Sequence, residues 1–223
     1  RDSYLAGESG LIHSATGTGK TLAAFLGPLA EAIAEGAQAS PALRVLWITP
    51  MRALAGDTVA SLANALEGAG LSWSLGARTG DTTAAERAKQ ARKLPTALVT
   101  TPESLSLLLS QAEARERLAT LRAVIVDEWH ELLGNKRGVQ VELALARLRR
   151  WNPEIRTWGL SATLGNLDEA LERLLAGAPG RVVRGVSDKQ VVIDTLMPDA
   201  VDRIPWAGHL GLAMLPEVVA ALE

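Results

Sequence analysis

Two short stretches of this chain carry residue types that could do chemistry together. The first is Ala15-Thr16-Gly17-Thr18-Gly19-Lys20-Thr21. An apolar run over 10–14 precedes it, and a helical pattern opening with Leu22-Ala23-Ala24-Phe25-Leu26 follows. Strand, glycine-rich loop and helix in that order form a seat for phosphate. Gly17 and Gly19 permit backbone angles that aim successive N–H groups at phosphate oxygens. The helix N-terminus adds the positive end of its dipole. Lys20 is placed to reach the β- and γ-phosphates of a nucleotide, and the Thr21 hydroxyl to ligate Mg²⁺. The strict pattern asks for glycine at position 14, where Ser14 stands.

The second stretch is Asp127-Glu128-Trp129-His130, at the end of the apolar run Leu121-Arg122-Ala123-Val124-Ile125-Val126. Two carboxylates at a strand's carboxyl end complement a phosphate loop. Asp127 would hold Mg²⁺ through its water shell, and Glu128 would orient and polarise an attacking water. Adjacent residues of an extended strand point to opposite sides, which would separate the two roles.

The elements that must position these groups follow from patterning. Short apolar runs predict strands over 10–14, 44–49, 72–77, 96–100, 121–126 and 155–161, with a last pair near 181–184 and 190–195. Longer amphipathic runs predict helices over 20–35, 53–66, 83–92, 102–110, 111–119, 139–150 and 167–175. Alternation of the two kinds is the mark of a βαβ architecture. Strands apolar on both faces, such as Val45-Leu46-Trp47-Ile48, suit a parallel sheet covered by helices on each side. Asn166 with Glu169 three residues on predicts an N-cap. Of the six tryptophans, Trp47 and Trp158 are expected in the core and Trp73 and Trp151 at sheet or helix edges. Trp129 is expected to pack beneath the acidic site.

In type and order these segments resemble a known family. Residues 15–21, 127–130 and Ser161-Ala162-Thr163 resemble motifs I, II and III of superfamily 2 helicases of the DExH type. Thr49-Pro50-Met51-Arg52-Ala53-Leu54-Ala55 resembles motif Ia, and Thr101-Pro102-Glu103-Ser104-Leu105 resembles motif Ib. Arg78-Thr79-Gly80-Asp81 resembles the short glycine motif between them. Residues 127–148 and the tail segment 206–212 are similar to Lhr-type DNA helicases, particularly the ligase-associated branch.

The resemblance implies an α/β P-loop NTPase fold: a RecA-like, mostly parallel sheet with helices on both faces. It implies ATP bound by Thr16, Gly17, Thr18, Gly19, Lys20 and Thr21, with Mg²⁺ held at Thr21 and Asp127. Lys20, Asp127 and Glu128 become the catalytic set, and His130, Ser161 and Thr163 couple the nucleotide to movement. Arg52, Thr79, Gly80, Thr101 and Arg137 would lie along the nucleic-acid strand. Residues 1–185 would be the first RecA-like domain, shortened at its N-terminus where an adenine-reading motif would stand. Residues 186–223 would lead toward a second RecA-like domain absent from this chain. The implied activity is that of a 3′–5′ DNA helicase acting in repair on single-stranded DNA or a duplex with a 3′ overhang, beside DNA repair proteins. Without the second domain's arginine finger, the chain alone is expected to hydrolyse ATP very slowly. An RNA helicase or double-strand translocase of the same superfamily, or a non-hydrolytic nucleotide-binding remnant, stays open.

Composition narrows the classes further. A chain of 223 residues without cysteine excludes disulfides and thiolate metal sites and fits a reducing compartment, so a cytoplasmic protein is expected. Three histidines make a histidine metal cage a poor reading. A net charge of −2 leaves nucleic-acid binding to a local patch rather than to the whole surface. No apolar run approaches the roughly 20 residues a membrane helix needs. The opening Arg1-Asp2-Ser3-Tyr4 reads as the start of a fragment.

Overall fold

The computed structural model describes residues 1–36, 42–185 and 215–222. Seven strands form its sheet: β1 (Gly10–His13), β2 (Val45–Ile48), β3 (Leu75–Arg78), β4 (Ala97–Thr100), β5 (Ala123–Val126), β6 (Arg156–Ser161) and β7 (Arg181–Arg184). Their order is β3-β4-β2-β5-β6-β1-β7, and every pairing is parallel. The helices are α1 (Asp2–Leu5), α2 (Lys20–Ala34), α3 (Arg52–Gly68), α4 (Ala84–Arg92), α5 (Pro102–Leu109), α6 (Ala114–Arg117), α7 (Trp129–Leu132), α8 (Lys136–Trp151), α9 (Leu167–Leu175) and α10 (Leu215–Leu222). The chain divides into two compact units, residues 1–187 and 188–223. The sheet belongs to the first, and α10 is the described part of the second.

Strand periodicity builds the two layers. In β2, Val45 and Trp47 join a core with Phe25, Leu29 and Leu62 on one face, while Leu46 and Ile48 join Leu105, Val141 and Leu145 on the other. In β5, Ala123 and Ile125 face the first core, and Val124 and Val126 the second. Alternate side chains of an extended strand point oppositely, so both faces must be apolar and both must be covered. Register then aligns the carboxyl ends. His13 pairs with Ser161, Gly159 with Val126, and Val126 with Ile48. The segments after β1, β2, β5 and β6 therefore leave the sheet along one edge, where open α/β sheets bind ligands.

The opposite edge is tied by charge. Glu31, near the end of α2, accepts from Arg156 Nη1 at 2.6 Å and from Tyr4 Oη at 3.1 Å, and Arg44 Nη2 lies 3.4 Å away. Arg44 also pairs with Glu35 at 2.6 Å. This hub joins the phosphate-loop helix to α1 and to the residues that start β2 and β6.

Several sequence expectations are corrected. The helix expected over 111–119 shrinks to α6, flanked by turns. The strand expected over 72–77 begins at Leu75. Helix α8 begins at Lys136, three residues early, because the Asn135 side chain accepts from the backbone N–H of Arg137 and Gly138. Helices α1, α7 and α10 had no expected counterpart. The Asn166 cap is present and accepts from Glu169 N at 3.1 Å. Trp47 and Trp158 are core residues, and Trp73 and Trp129 are buried as well. The strand expected over 190–195 and the tail segment 206–212 lie outside the described residues.

Candidate nucleotide and nucleic-acid sites

The loop after β1 turns on its glycines. Gly17 has φ +74° and Gly19, the N-cap of α2, has φ +82°. Both values are costly for any residue with a Cβ. Between them Thr18 donates its hydroxyl to Ala15 O at 2.7 Å, closing the turn. Lys20, first in α2, points back under the loop and donates to Ser14 O at 2.7 Å and Ala15 O at 3.0 Å. A phosphate entering the loop would take over these ammonium bonds. Ser14 is accommodated from outside the loop. Its N–H donates to Ser161 O at 3.1 Å, and its side chain fills the place of a Cβ at Gly185, which would lie 2.2 Å from Ser14 Oγ.

The acidic pair sits at the end of β5, two strands away. Asp127 Oδ2 accepts from the buried indole of Trp47 at 3.2 Å, and Oδ1 accepts from Glu128 N at 2.9 Å. Burial pushes the Asp127 carboxyl up; the Trp47 hydrogen bond opposes this, the Glu128 charge reinforces it, and the Lys20 charge again opposes it. Separation of the two carboxylates does not come from strand alternation, which ends at Val126. Glu128 stands at φ +44°, ψ +48° as the N-cap of α7. This left-handed conformation costs a residue with a side chain about 1–3 kcal/mol, and here it sets Glu128 at the start of α7 with both acids lining one cleft. Glu128 Oε2 is buried without a hydrogen-bond partner among the described residues and lies 3.4 Å from His130 Nδ1.

These groups converge. One cleft of about 260 Å³ is lined by Thr16, Gly17, Gly19, Lys20, Thr21, Asp127 and Glu128 on one side and by Leu54, Asp57, Thr58 and Ser61 of α3 on the other. Of the expected loop residues only Thr18 is not in its wall. His130 Nδ1 is 3.2 Å from Ser161 Oγ, linking the end of β5 to the end of β6. Thr163 is exposed and lines neither this cleft nor the next.

A second cleft of about 270 Å³ opens along the same edge. Arg52, Thr79, Gly80, Thr101 and Arg137, all five residues expected on a nucleic-acid path, line it together with Arg78, Arg87, Glu103, Ser104 and Leu107. Thr101 is buried and caps α5, its hydroxyl accepting from Ser104 N at 3.5 Å. Arg52 pairs with Asp81 at 2.6 Å, and Arg137 with Glu103 at 2.5 Å. The two clefts share α3, whose first residue, Arg52, lines the second and whose middle lines the first.

Reading the sequence missed the α3 wall of the first cleft. Asp57 and Ser61, four residues apart, form the polar stripe that could have shown it. It also missed Trp47 as a partner of Asp127, since an apolar strand gives no hint that an indole N–H is in use. Arg78 and Arg87, on either side of Thr79-Gly80, were within reach of the same argument that found their neighbours.

Comparison with known proteins agrees with this geometry. The DEAD/DEAH box helicase family matches residues 2–170. The chain is 41% identical over 182 residues to the ATP-dependent helicase Lhr-Core of Methanothermobacter thermautotrophicus, covering 77% of this chain and 21% of that protein. It is 36% identical over 210 residues to the Lhr helicase/uracil glycosylase of Escherichia coli, covering 86% and 14%. Among solved structures, the Mycobacterium smegmatis helicase Lhr bound to ssDNA and AMP-PNP matches with a TM-score of 0.72 and 36% identity, over 84% of this chain and 25% of that one. The chain thus spans about a fifth or less of the length of these curated relatives.

Proposed function

The chain belongs to the DEAD/DEAH box helicase family, and from that premise we propose that it is the ATP-binding motor domain of a 3′–5′ DNA helicase of the Lhr type. One observation carries the reading: Lys20 and Thr21 share a single cleft with Asp127 and Glu128, although the sheet brings them from strands two places apart. In this reading residues 1–185 form the first RecA-like domain, and 186–223 lead toward a second.

Each side chain then has a task. The N–H groups of residues 16–21 cradle phosphate oxygens, and Lys20 exchanges its carbonyl partners for the β- and γ-phosphates. Glu128 Oε2, buried without a donor, is poised to accept a proton-bearing water beside the γ-phosphate. The site fits Mg²⁺. Asp127 and Thr21 offer hard oxygen donors on one wall, and no cluster of three or more His, Asp or Glu side chains stands ready as a cage among the described residues. That suits an ion that keeps its waters and leans on substrate phosphates. When bound, Mg²⁺ neutralises charge developing on the phosphates. His130 and Ser161, 3.2 Å apart, pass the state of the acidic turn to β6 and the Thr163 loop.

The second cleft is proposed to take the backbone of single-stranded DNA. Buried hydroxyls, a helix N-terminus and arginines suit phosphate oxygens without reading bases. DNA is favoured over RNA because the M. smegmatis relative is a structure with ssDNA; a duplex with a 3′ overhang as substrate and DNA repair proteins as partners are part of the proposal. No described helix is long and apolar enough to cross a membrane, and the reading places the protein with DNA in the cytoplasm.

The test uses a chain that carries the second RecA-like domain as well. ATP hydrolysis should rise with single-stranded DNA more than with matched RNA. Glu128→Gln should abolish turnover while the protein still binds a fluorescent ATP analogue. Equal, negligible hydrolysis by the unaltered protein and the variant would reduce the domain to a nucleotide-binding remnant. Stimulation by RNA alone would transfer the reading to RNA.

A further inference from the structure

Four arginines line the second cleft, against one carboxylate, Glu103. Their circumstances differ. Arg52 and Arg137, the two that the sequence singles out, are each held by an acid, Asp81 at 2.6 Å and Glu103 at 2.5 Å. To meet a phosphate, each must share or release a carboxylate. Arg87 spends its guanidinium on main-chain oxygens: Nε donates to Thr82 O at 3.0 Å, and Nη2 to Thr79 O and Gly80 O at 3.1 Å each. It frames the Thr79-Gly80 turn from behind.

Arg78 is different. It is the last residue of β3 and half-buried. Its side-chain hydrogen bond is a long one, 3.5 Å from Nη1 to Gln90 Oε1, and no carboxylate lies within ion-pair distance among the described residues. Burial disfavours its charge first, and the neighbouring charges of Arg117 and Arg87 disfavour it further. A cation that is partly desolvated, crowded by like charges and not countered by an acid is stabilised by an anion from outside. The room for that anion is the cleft, which the buried Thr101 and Ser104 at the N-terminus of α5, a helix of eight residues, also line.

We propose that Arg78 is the principal phosphate seat of this cleft, gripping one backbone phosphodiester of the bound strand through its planar fork, with Arg87 holding the turn in place. The proposal rests on reading the cleft as the nucleic-acid path and moves its strongest contact from Arg52 and Arg137 to Arg78, the first residue of the short glycine motif. The guanidinium fork matches two phosphate oxygens at once, which an ammonium cannot do. The contact carries no sequence information and is felt as affinity and salt dependence.

The experiment measures anisotropy of fluorescent oligo-dT with the 223-residue chain across a salt series, for the parent, Arg78→Gln, Arg78→Lys, Arg137→Gln and Thr101→Ala. Arg78→Gln should weaken binding by about tenfold or more, the scale of one charge-assisted hydrogen bond. It should also make the slope of log affinity against log salt shallower by about 0.7, one single-strand phosphate. Arg78→Lys should keep the slope and lose part of the affinity. Arg137→Gln should change both by less than Arg78→Gln, because Arg137 already has Glu103. If Thr101→Ala weakens binding while Arg78→Gln leaves slope and affinity alone, the phosphate seat is wrong and the cleft reading survives. If no variant alters binding, the cleft itself is not the path. Should Arg78→Gln fail to fold, Arg78→Lys decides: affinity equal to the parent's overturns the fork.

Discussion

The Trp47–Asp127 hydrogen bond offers a sharp test of how the acidic turn is built. Trp47 is completely buried, and its Nε1 donates to Asp127 Oδ2 at 3.2 Å, one of two donors to the carboxylate among the described residues, the other being Glu128 N at 2.9 Å. Trp47→Phe removes that donor and leaves a buried carboxylate oxygen uncompensated. A hydrogen bond to a charged group contributes about 1.5–3 kcal/mol. Shrinking indole to phenyl in a packed core adds about 1 kcal/mol of lost burial and cavity. The variant should therefore lose about 2.5–4 kcal/mol, a large part of a typical total of about 5–15 kcal/mol. Packing alone could produce much of that, so the assay is a double-mutant cycle in urea: Trp47→Phe, Asp127→Ala and the pair. In the Asp127→Ala background only the packing loss remains, about 1 kcal/mol. The coupling energy should then be about 1.5–3 kcal/mol. A value within about 0.5 kcal/mol of zero, the range of independent sites, would show that the indole merely fills space and would refute the reasoning.

Three further outcomes are expected. Burial raises the Glu31 carboxyl, but the Arg156 hydrogen bond and charge, Tyr4 and Arg44 outweigh it and hold it below its ordinary 4.5; its stabilisation is complete above that value and is lost as pH falls through the lowered one. Glu31→Gln should cost about 3 kcal/mol at neutral pH, as when one partner of a buried pair is removed, and should flatten the acid limb of a melting-temperature profile; an unchanged limb would count against the hub. Gly10→Ala and Gly56→Ala should differ in sign by thermal melting. A Cβ at Gly10 would lie 2.1 Å from Arg181 O and should destabilise by about 1–3 kcal/mol, whereas Gly56, unobstructed within α3, should gain about 0.5–1 kcal/mol. Adding a second RecA-like domain should raise ATP turnover over the 223-residue chain by about 10³–10⁵, the usual effect of an arginine finger; equal turnover would mean the chain needs no residue from outside.

Much of the fold was legible because local chemistry is short-ranged. The phosphate loop announces itself through Gly17 and Gly19, whose positive φ values only glycine adopts cheaply. The Asn166 cap needed only its own side chain and Glu169, three residues on. By the same logic the start of α8 was within reach of the Asn135 cap and was misplaced by three residues. The shortening of the 111–119 helix to α6 was not legible: the turns around Ala114 and Leu118 serve packing against the second core. Nor could the turn at Glu128 be read, since nothing in a glutamate predicts a left-handed backbone.

The sequence by itself determined which groups could meet a triphosphate, because glycine placement, helix dipole and adjacent carboxylates are properties of a few consecutive residues. It also determined that the sheet must be covered on both faces, because apolar side chains occupy both phases of β2 and β5. Tertiary structure alone decided which charges are spent. Arg52 meets Asp81 and Arg137 meets Glu103 only when separate connections come together at the sheet edge, and among the described residues Arg78 is left without an acid by the same packing. Coulomb attraction depends on distance in space, and partial burial makes each unpaired charge costly. Which arginine is available to a phosphate is therefore settled by how the chain folds, not by where it stands in the motif.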